Sequence, residues 1–526
     1  MNCFLPHRFT PARVVLVLVG LLCASLVARA QLPTPTYGWN LGNTLEPPSG
    51  EGTWGPAATK ALINSVADAG FNTVRIPVAW HSHADPVTHK IDPAWMARVK
   101  QVVDWCYQRK LYVIINSHWD TGWLEHSSFA AVDPLINAKQ KAYWTQIAKA
   151  FKNYNNRLLF AGANEPDVKT AAQMSVLLAY EQTFVKAVRA TGGKNKTRWL
   201  VVQGPGTDIE RTVALMNKLP KDPTRGRLVV EVHYYSPYQY TLMNEDADWG
   251  KMAYFWGRGY THPTRTDRNA TWADEAYIDQ QFRALASKFV KKGVPVLLGE
   301  FQSFKRLNRS DLTGADFQRH VAARTYFHKY VVDAANARGI KPVYWDIAGQ
   351  MFDWKTGKVT DRDNLRVLTG GAALPPPDTS GVVANGIYKI VARHSGKALS
   401  FDKKISGKTS AVRQTKYRRG EQEQWVLHHL GKNTYRIVGL KSGLALEASG
   451  AGKKNGTKVR IAPSSGAKHQ QWKLTPASGG YFRLTPAHAP TKSLSVQGKS
   501  KSEKAKLELK TASSSAKHQQ WSLRKP

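Results

Sequence analysis

Cysteine is nearly missing from this chain, with 3 in 526 residues. Cys3 and Cys23 fall in an N-terminal stretch that reads as an export signal, which leaves Cys106 alone beyond it. One thiol excludes an internal disulfide, so an exported core has to hold by packing. Cys106 keeps helical spacing with Val99, Val102 and Val103 and reads as part of that core. Long apolar runs are also missing. Beyond the N-terminal stretch nothing has the length and hydropathy of a transmembrane helix, so no membrane span is expected in the mature chain. Acidic residues are scarce: 38 Asp and Glu stand against 75 Lys and Arg, a net charge of +37.

The export reading rests on three features. Arg8 and Arg13 precede an uncharged apolar run from Val14 to Val27, which ends at Ala28-Arg29-Ala30. That order of charged region, short apolar region and small-residue site predicts a signal over residues 1–30, cut before Gln31. The mature chain is then expected outside the cytoplasm, extracellular or periplasmic.

The charge is skewed. From Thr379 onward there are 29 Lys and Arg against 6 Asp and Glu, or +23, which leaves +14 for the residues before it. Such a field favours anionic partners, and an acidic polysaccharide or anionic surface is the expectation; nucleic acid is not expected. Just ahead of this basic half lies "GGAALPPPDTSG" at 370–381, Gly/Pro-rich and without periodicity, which reads as a linker.

Before the linker, apolar β-branched runs alternate with amphipathic stretches. The runs are "YGWNLGN" (37–43), "TVRIPVAW" (73–80), "YVIINSHW" (112–119), "LLFAGANE" (158–165), "WLVVQGP" (199–205), "LVVEVHYY" (228–235), "VPVLLGEF" (294–301) and "KPVYWDI" (341–347). Most read as strands buried on both faces. Eight such strands, each followed by a helix, predict an α/β fold, a (β/α)8 TIM barrel over 31–369. An open doubly wound sheet is the alternative, but no Gly-rich phosphate loop follows the first strand. After the linker the pattern becomes a repeat: Tyr388, Tyr435 and Phe482 recur every 47 residues, and each unit closes on a Trp, at 425, 472 and 521. Three such units predict an all-β β-trefoil over 382–526, with the Trp residues as core.

Barrel enzymes carry their chemistry at the C-terminal ends of strands. There the sequence offers Arg75, His118, Asn164-Glu165, His233, Tyr235, Glu300 and Trp345. Two carboxylates among His, Tyr, Arg, Asn and Trp suit glycoside hydrolysis with retention, which needs a nucleophile and a proton donor about 5–5.5 Å apart. Arg75 could keep one carboxylate ionised, Asn164 could bond a sugar 2-hydroxyl, and Trp345 offers a flat face for a pyranose. Glu231, on the same strand face as His233, is the rival acid; Asp104 and Asp346 are further candidates. The loop "YFWGRGY" at 254–260 either lines the cleft or packs over the barrel end. No His/Asp/Glu triad has metal-site spacing, so neither metal nor cofactor is expected.

In this order, the strand-end set resembles that of the cellulase family, glycoside hydrolase family 5 of clan A, over residues 37 to about 347. The resemblance implies a retaining endo-β-1,4-glucanase acting on β-glucan, with Glu165 as acid/base and Glu300 as nucleophile. Tyr235 and Arg75 would hold the nucleophile, and His118 and His233 would line the −1 sugar site. A β-mannanase, xyloglucanase or mixed-linkage glucanase would use the same machinery, and an inactive carbohydrate-binding barrel is the rival from another class. Trp119 departs from the family, where many members carry a second His. The basic half resembles ricin-type trefoil lectins through its Tyr, Ser-Gly and Gln-x-Trp markers. The family's sugar-binding Asp falls at Ser400, Glu447 and Ser495, its stacking aromatic near Thr415, Ala462 and Thr511, and Glu423 replaces the first Gln. Galactose-type binding is therefore not expected, with Glu447 the one acidic survivor.

Overall fold

The computed structural model describes residues 37–118, 124–125, 127, 129–346, 349–402 and 408–526. The signal expected over 1–30 and Trp119 lie outside the described residues. Eight parallel strands close into a barrel: β1 (Gly38–Asn40), β2 (Thr73–Ile76), β3 (Tyr112–Asn116), β4 (Leu158–Ala161), β5 (Leu200–Gln203), β6 (Leu228–Tyr234), β7 (Val296–Phe301) and β8 (Ile340–Trp345). Closure comes from β1 pairing with β8. Every residue of β2, β4, β5 and β7 is buried, the reason those runs are apolar throughout. Ile114, Leu159, Val201, Val229, Leu297 and Val343 pack together as one cluster drawn from six of the strands.

The outer helices are α1 (Lys60–Asp68), α2 (Pro93–Gln108), α3 (Pro134–Ala150), α4 (Ala171–Ala190), α5 (Ile209–Leu215), α6 (Tyr238–Thr241), α7 (Glu275–Lys288), α8 (Gly314–Ala337) and α9 (Arg362–Leu368). Their starts are written in the sequence. Asp92 and Asp133 cap α2 and α3, each followed by Pro at the first helical position. Thr170 forms a capping box with Gln173 on α4. Cys106 is fully buried on α2. Among the described residues no helix is long and apolar enough to cross a membrane.

Several strands end earlier than the apolar runs suggest. β3 stops at Asn116 and β4 at Ala161, so His118, Asn164 and Glu165 sit on the loops that leave the rim. There the ladder gives way to side-chain bonds: the Asn116 amide oxygen accepts from Val78 N (3.2 Å) and the Gln203 amide oxygen from Ala163 N (2.9 Å).

The C-terminal domain is all-β. Among the described residues its strands are β9 (Gly386–Ala392), β10 (Ala398–Phe401), β11 (Ser410–Thr415), β12 (Trp425–His429), β13 (Thr434–Gly439), β14 (Ala445–Ala448), β15 (Val459–Ala462), β16 (Gln471–Ala477), β17 (Tyr481–Pro486), β18 (Lys492–Val496), β19 (Leu507–Thr511) and β20 (Trp521–Arg524). The 47-residue period is visible as register. Tyr388 faces Trp425, Tyr435 faces Trp472 and Phe482 faces Trp521. All three Trp rings are fully buried, and their indole N–H groups donate to the carbonyls of Leu399, Leu446 and Leu494. Each repeat thus buries one large ring with its single polar atom satisfied, as a trefoil core requires. The stretch 370–381 is packed rather than free at its start: Ala372 is buried with Val426 and Leu440, and its N–H donates to Leu440 O (3.0 Å).

Candidate active site

Arg75 organises the barrel rim. It is fully buried, and its three nitrogens reach four different strands or loops. Nε meets Glu231 Oε1 at 2.9 Å; Nη1 donates to Glu300 Oε1 (2.9 Å) and Asn40 Oδ1 (3.0 Å); Nη2 donates to Asn164 Oδ1 (2.9 Å). Burial opposes the cation, but Glu231 and Glu300 outweigh it and hold Arg75 above its ordinary value. A guanidinium fork is the one side chain that can satisfy this many acceptors at once.

Glu231, the rival acid, lies beneath this fork. It is fully buried, and its second oxygen accepts from Gln203 Nε2 at 2.7 Å. Space for it comes from Gly299: a Cβ there would stand 2.0 Å from Glu231 Oε1. The register of β6 against β7 shifts between Val232 and His233, which sets His233 opposite Glu300. The other two acids are accounted for elsewhere. Asp346 is fully buried, accepting from Trp39 Nε1 and Met351 N, and Asp104 pairs with Lys100 on α2.

Above Arg75 the two strand-end carboxylates come together. Single donor atoms of Glu165, His233 and Glu300 all lie within 4.8 Å of one another. Glu300 also accepts from the Tyr235 hydroxyl (2.9 Å), which burial, with Glu300 and Glu165 nearby, holds protonated well above its ordinary value. His233 Nδ1 donates to Glu165 Oε1 at 2.5 Å and stands 3.7 Å from Glu300 Oε2. Burial disfavours charge on this ring, yet Glu300, Glu165 and Glu231 push it up to about 10. Burial alone would raise Glu165, but the His233 bond and the nearby cations hold it below the usual carboxylate range. Burial raises Glu300, partly offset by His233 and Arg75. The three groups therefore titrate together, with one proton held on the His233–Glu165 axis. Their spacing would admit a metal ion, a grouping that the linear order of the chain does not show.

The remaining expected residues border this pair. His118 stacks on Trp345 with ring centroids 5.7 Å apart and planes 13° from parallel; its Nδ1 contacts Asn116 Nδ2 (3.0 Å). Burial, with Arg75 and His233 nearby, holds His118 neutral. Gly42 lies against the Trp345 ring, where a Cβ would meet it at 2.8 Å. Glu165 has a side chain 44 % exposed, on a cavity of about 200 Å³ that runs along Thr207, Tyr235 and Tyr277. The loop 254–260 is not in the cleft: Tyr254, Phe255, Trp256 and Tyr260 are buried, and Trp256 packs edge-on against Phe327.

One neighbour escaped the sequence. Glu125, on the β3–α3 connection, accepts from Glu165 N at 2.8 Å, while its carbonyl accepts from Asp167 N. Burial raises its carboxyl to about 7, with Glu165 and Glu300 adding to the rise. No periodicity marks a loop residue of this kind.

A sequence model described as Cellulase (glycosyl hydrolase family 5) matches residues 37–350, and one described as Ricin-type beta-trefoil lectin domain-like matches 379–462 and 421–510. The chain is 37% identical over 355 residues to a xyloglucan-specific endo-β-1,4-glucanase of Bacteroides ovatus, covering 64% of this chain and 68% of that protein. It is 35% identical to endoglucanase A of Paenibacillus barcinonensis, covering 64% and 87%. Among solved structures, a xyloglucan-specific β-1,4-glucanase from a ruminal metagenomic library, in complex with XXLG, superposes with a TM-score of 0.58 at 38% identity, covering 65% of this chain and 94% of that one. The family 5 xyloglucanase from Paenibacillus pabuli gives 0.56 at 33%, covering 63% and 97%. This chain belongs to glycosyl hydrolase family 5 and carries a ricin-type β-trefoil-like domain behind its barrel.

Proposed function

We propose that the protein is a secreted, retaining endo-β-1,4-glucanase in which Glu300 is the nucleophile and Glu165 the acid/base. The observation that carries this is the carboxylate pair: oxygens within 4.8 Å, above a buried Arg75 that touches Glu300 and the Asn164 next to Glu165. In the first step a Glu300 oxygen bonds to the anomeric carbon. The glycosidic C–O bond breaks as Glu165 delivers its proton to the leaving oxygen. In the second, Glu165 takes a proton from water, which attacks the anomeric carbon and frees the Glu300 carboxylate. Arg75 and Tyr235 hold Glu300 in line. The proton stored on the His233–Glu165 axis is one 2.5 Å bond from where it is needed. Asn164 bonds the 2-hydroxyl, while His118, His233 and Trp345 form the walls of the −1 sugar site.

A xyloglucanase is the second reading, favoured because a curated relative and two of the solved structures most similar to this chain are xyloglucan-specific or xyloglucanases. Initial rates on soluble carboxymethyl-cellulose, xyloglucan, mixed-linkage glucan and mannan separate these. Activity on none of them defeats the proposal, and activity confined to mannan defeats both glucanase readings. The trefoil, with its +23 balance, anchors the enzyme to an acidic polysaccharide or anionic surface. Residues 1–30 are its export signal, and 31–369, 370–381 and 382–526 its barrel, linker and trefoil.

A further inference from the structure

The three trefoil repeats are not equivalent where the lectin family binds sugar. In the second, Glu447 faces Arg460 across the β14–β15 pair and is saturated: Arg460 Nε at 2.7 Å, Gln470 Nε2 at 2.9 Å and His469 at 3.3 Å. Both of its oxygens are already engaged. In the third, the acid has changed strand. Ser495 on β18 faces Glu508 on β19, and Glu508 lies at the edge of a cavity of about 730 Å³. That cavity is also lined by Lys499, Lys510, Lys517 and His518. Lys510 approaches Glu508 at 3.7 Å, whereas among the described residues no carboxylate pairs with Lys499 or Lys517.

We infer that this third-repeat cavity binds one acidic sugar unit of a polysaccharide, a uronate or a sulfated hexose. The deduction deepens the anionic-partner reading of the trefoil and rests on it. Lys499 and Lys517 take the carboxylate or sulfate, while Glu508 and the hydroxyls of Ser495, Thr511 and Ser513 take sugar hydroxyls. The lining selects among polyanions. Glu508 is a hydrogen-bond acceptor, which suits the hydroxyls that an acidic sugar carries beside its charge. The cavity has no Phe, Tyr or Trp on which a nucleobase could stack. The large exposed hydrophobics of the trefoil are Val382 and Leu430 alone among the described residues, too few to enter a lipid surface.

The test uses the full chain, with polygalacturonate and dextran sulfate as probes and double-stranded DNA as comparison, titrated calorimetrically in 0.05 and 0.5 M NaCl. The double variant Lys499→Ser/Lys517→Ser removes two cavity cations, and Lys432→Ser/Lys441→Ser removes the same charge elsewhere on the trefoil. Melting temperature confirms that both fold. The cavity variant should bind an acidic polysaccharide about tenfold more weakly, the control within about twofold. Equal losses in the two variants would overturn the site while leaving charge-driven binding intact. Binding insensitive to salt, or no binding at all, would overturn the anionic-partner reading as well. Tighter binding of DNA than of either polysaccharide would overturn the ligand class.

Discussion

Gly299→Ala should damage both the fold and the chemistry, although Ala is the smallest change available. Gly299 shows no left-handed backbone, so its role is space. The added Cβ would stand 2.0 Å from Glu231 Oε1 and 2.8 Å from its Cδ. Either β7 shifts away, which for overpacking of this kind costs about 1–3 kcal/mol, or Glu231 leaves Arg75. The second route breaks a fully buried ion pair and costs about 3–5 kcal/mol. A loss of about 3 kcal/mol lowers the melting temperature by roughly 4 °C in a domain of about 340 residues. The next residue is Glu300, so a displacement of about 1 Å also misplaces the proposed nucleophile, and kcat should fall by about 100-fold. Calorimetry and initial rates on xyloglucan or carboxymethyl-cellulose read the two effects. Adding Glu231→Ser to Gly299→Ala restores the space but leaves the buried Arg75 without that partner, so neither the melting temperature nor kcat should recover. A single variant within about 1 °C and twofold of the parent would refute the packing argument.

Glu165→Ala should abolish cellulose hydrolysis but leave much of the glycosylation rate on an aryl cellobioside with a good leaving group, since that bond needs little protonation; equal losses on both would argue against Glu165 as the acid. Glu125→Gln keeps an oxygen for Glu165 N but removes a group that is anionic above about pH 7, so the His233–Glu165 pair should release its shared proton more readily. The alkaline limb of kcat/KM should therefore move to lower pH with KM little changed, and an unmoved limb would contradict the coupling. Burial pushes Glu46, Glu125 and Asp346 up to about 7. Their folded values lie above their unfolded ones, so the stability they contribute is full below about pH 4 and lost as pH rises through 7, up to about 3–4 kcal/mol each. Relative to the parent, Glu46→Gln should therefore gain stability as pH rises from 4.5 to 7.5; parallel profiles would contradict the linkage. His233, raised to about 10, adds stability that is full below pH 6.5 and disappears as pH climbs through 10.

Much of the rim was legible because a barrel collects one end of every strand in one place. Arg75, Glu165, His233, Tyr235 and Glu300 could be read as a set without knowing any distance between them. What the sequence left open was which way each acid points. Glu231 precedes His233 by two residues on the same face, yet it lies under Arg75, and only the Gly299 contact shows why there is room. Glu125 was illegible for a different reason, since it reaches the site from a loop that no hydrophobic period describes. The aromatic loop at 254–260 left two readings open, and burial of its rings decided for packing. In the trefoil the Trp period gave the core, whereas the exchange of an acid from position 495 to Glu508 is a cross-strand relation that linear order conceals. Glu423 shows the same limit. As a carboxylate it still accepts from Arg418 N (2.6 Å), as Gln470 accepts from Ser465 N (2.7 Å), so the repeat tolerates the replacement.

The central claim is that Glu300 becomes covalently attached to the sugar. A 2-deoxy-2-fluoro aryl cellobioside with a good leaving group slows the second step more than release of the aglycone, so the intermediate should accumulate. Intact-mass spectrometry should then show one added fluoro-cellobiosyl group per chain, and peptide mapping should place it on Glu300. Proton NMR of the unmodified enzyme at work should show the β-anomer forming first. A label on Glu165 or Glu231, or no label together with the α-anomer as first product, would contradict the account.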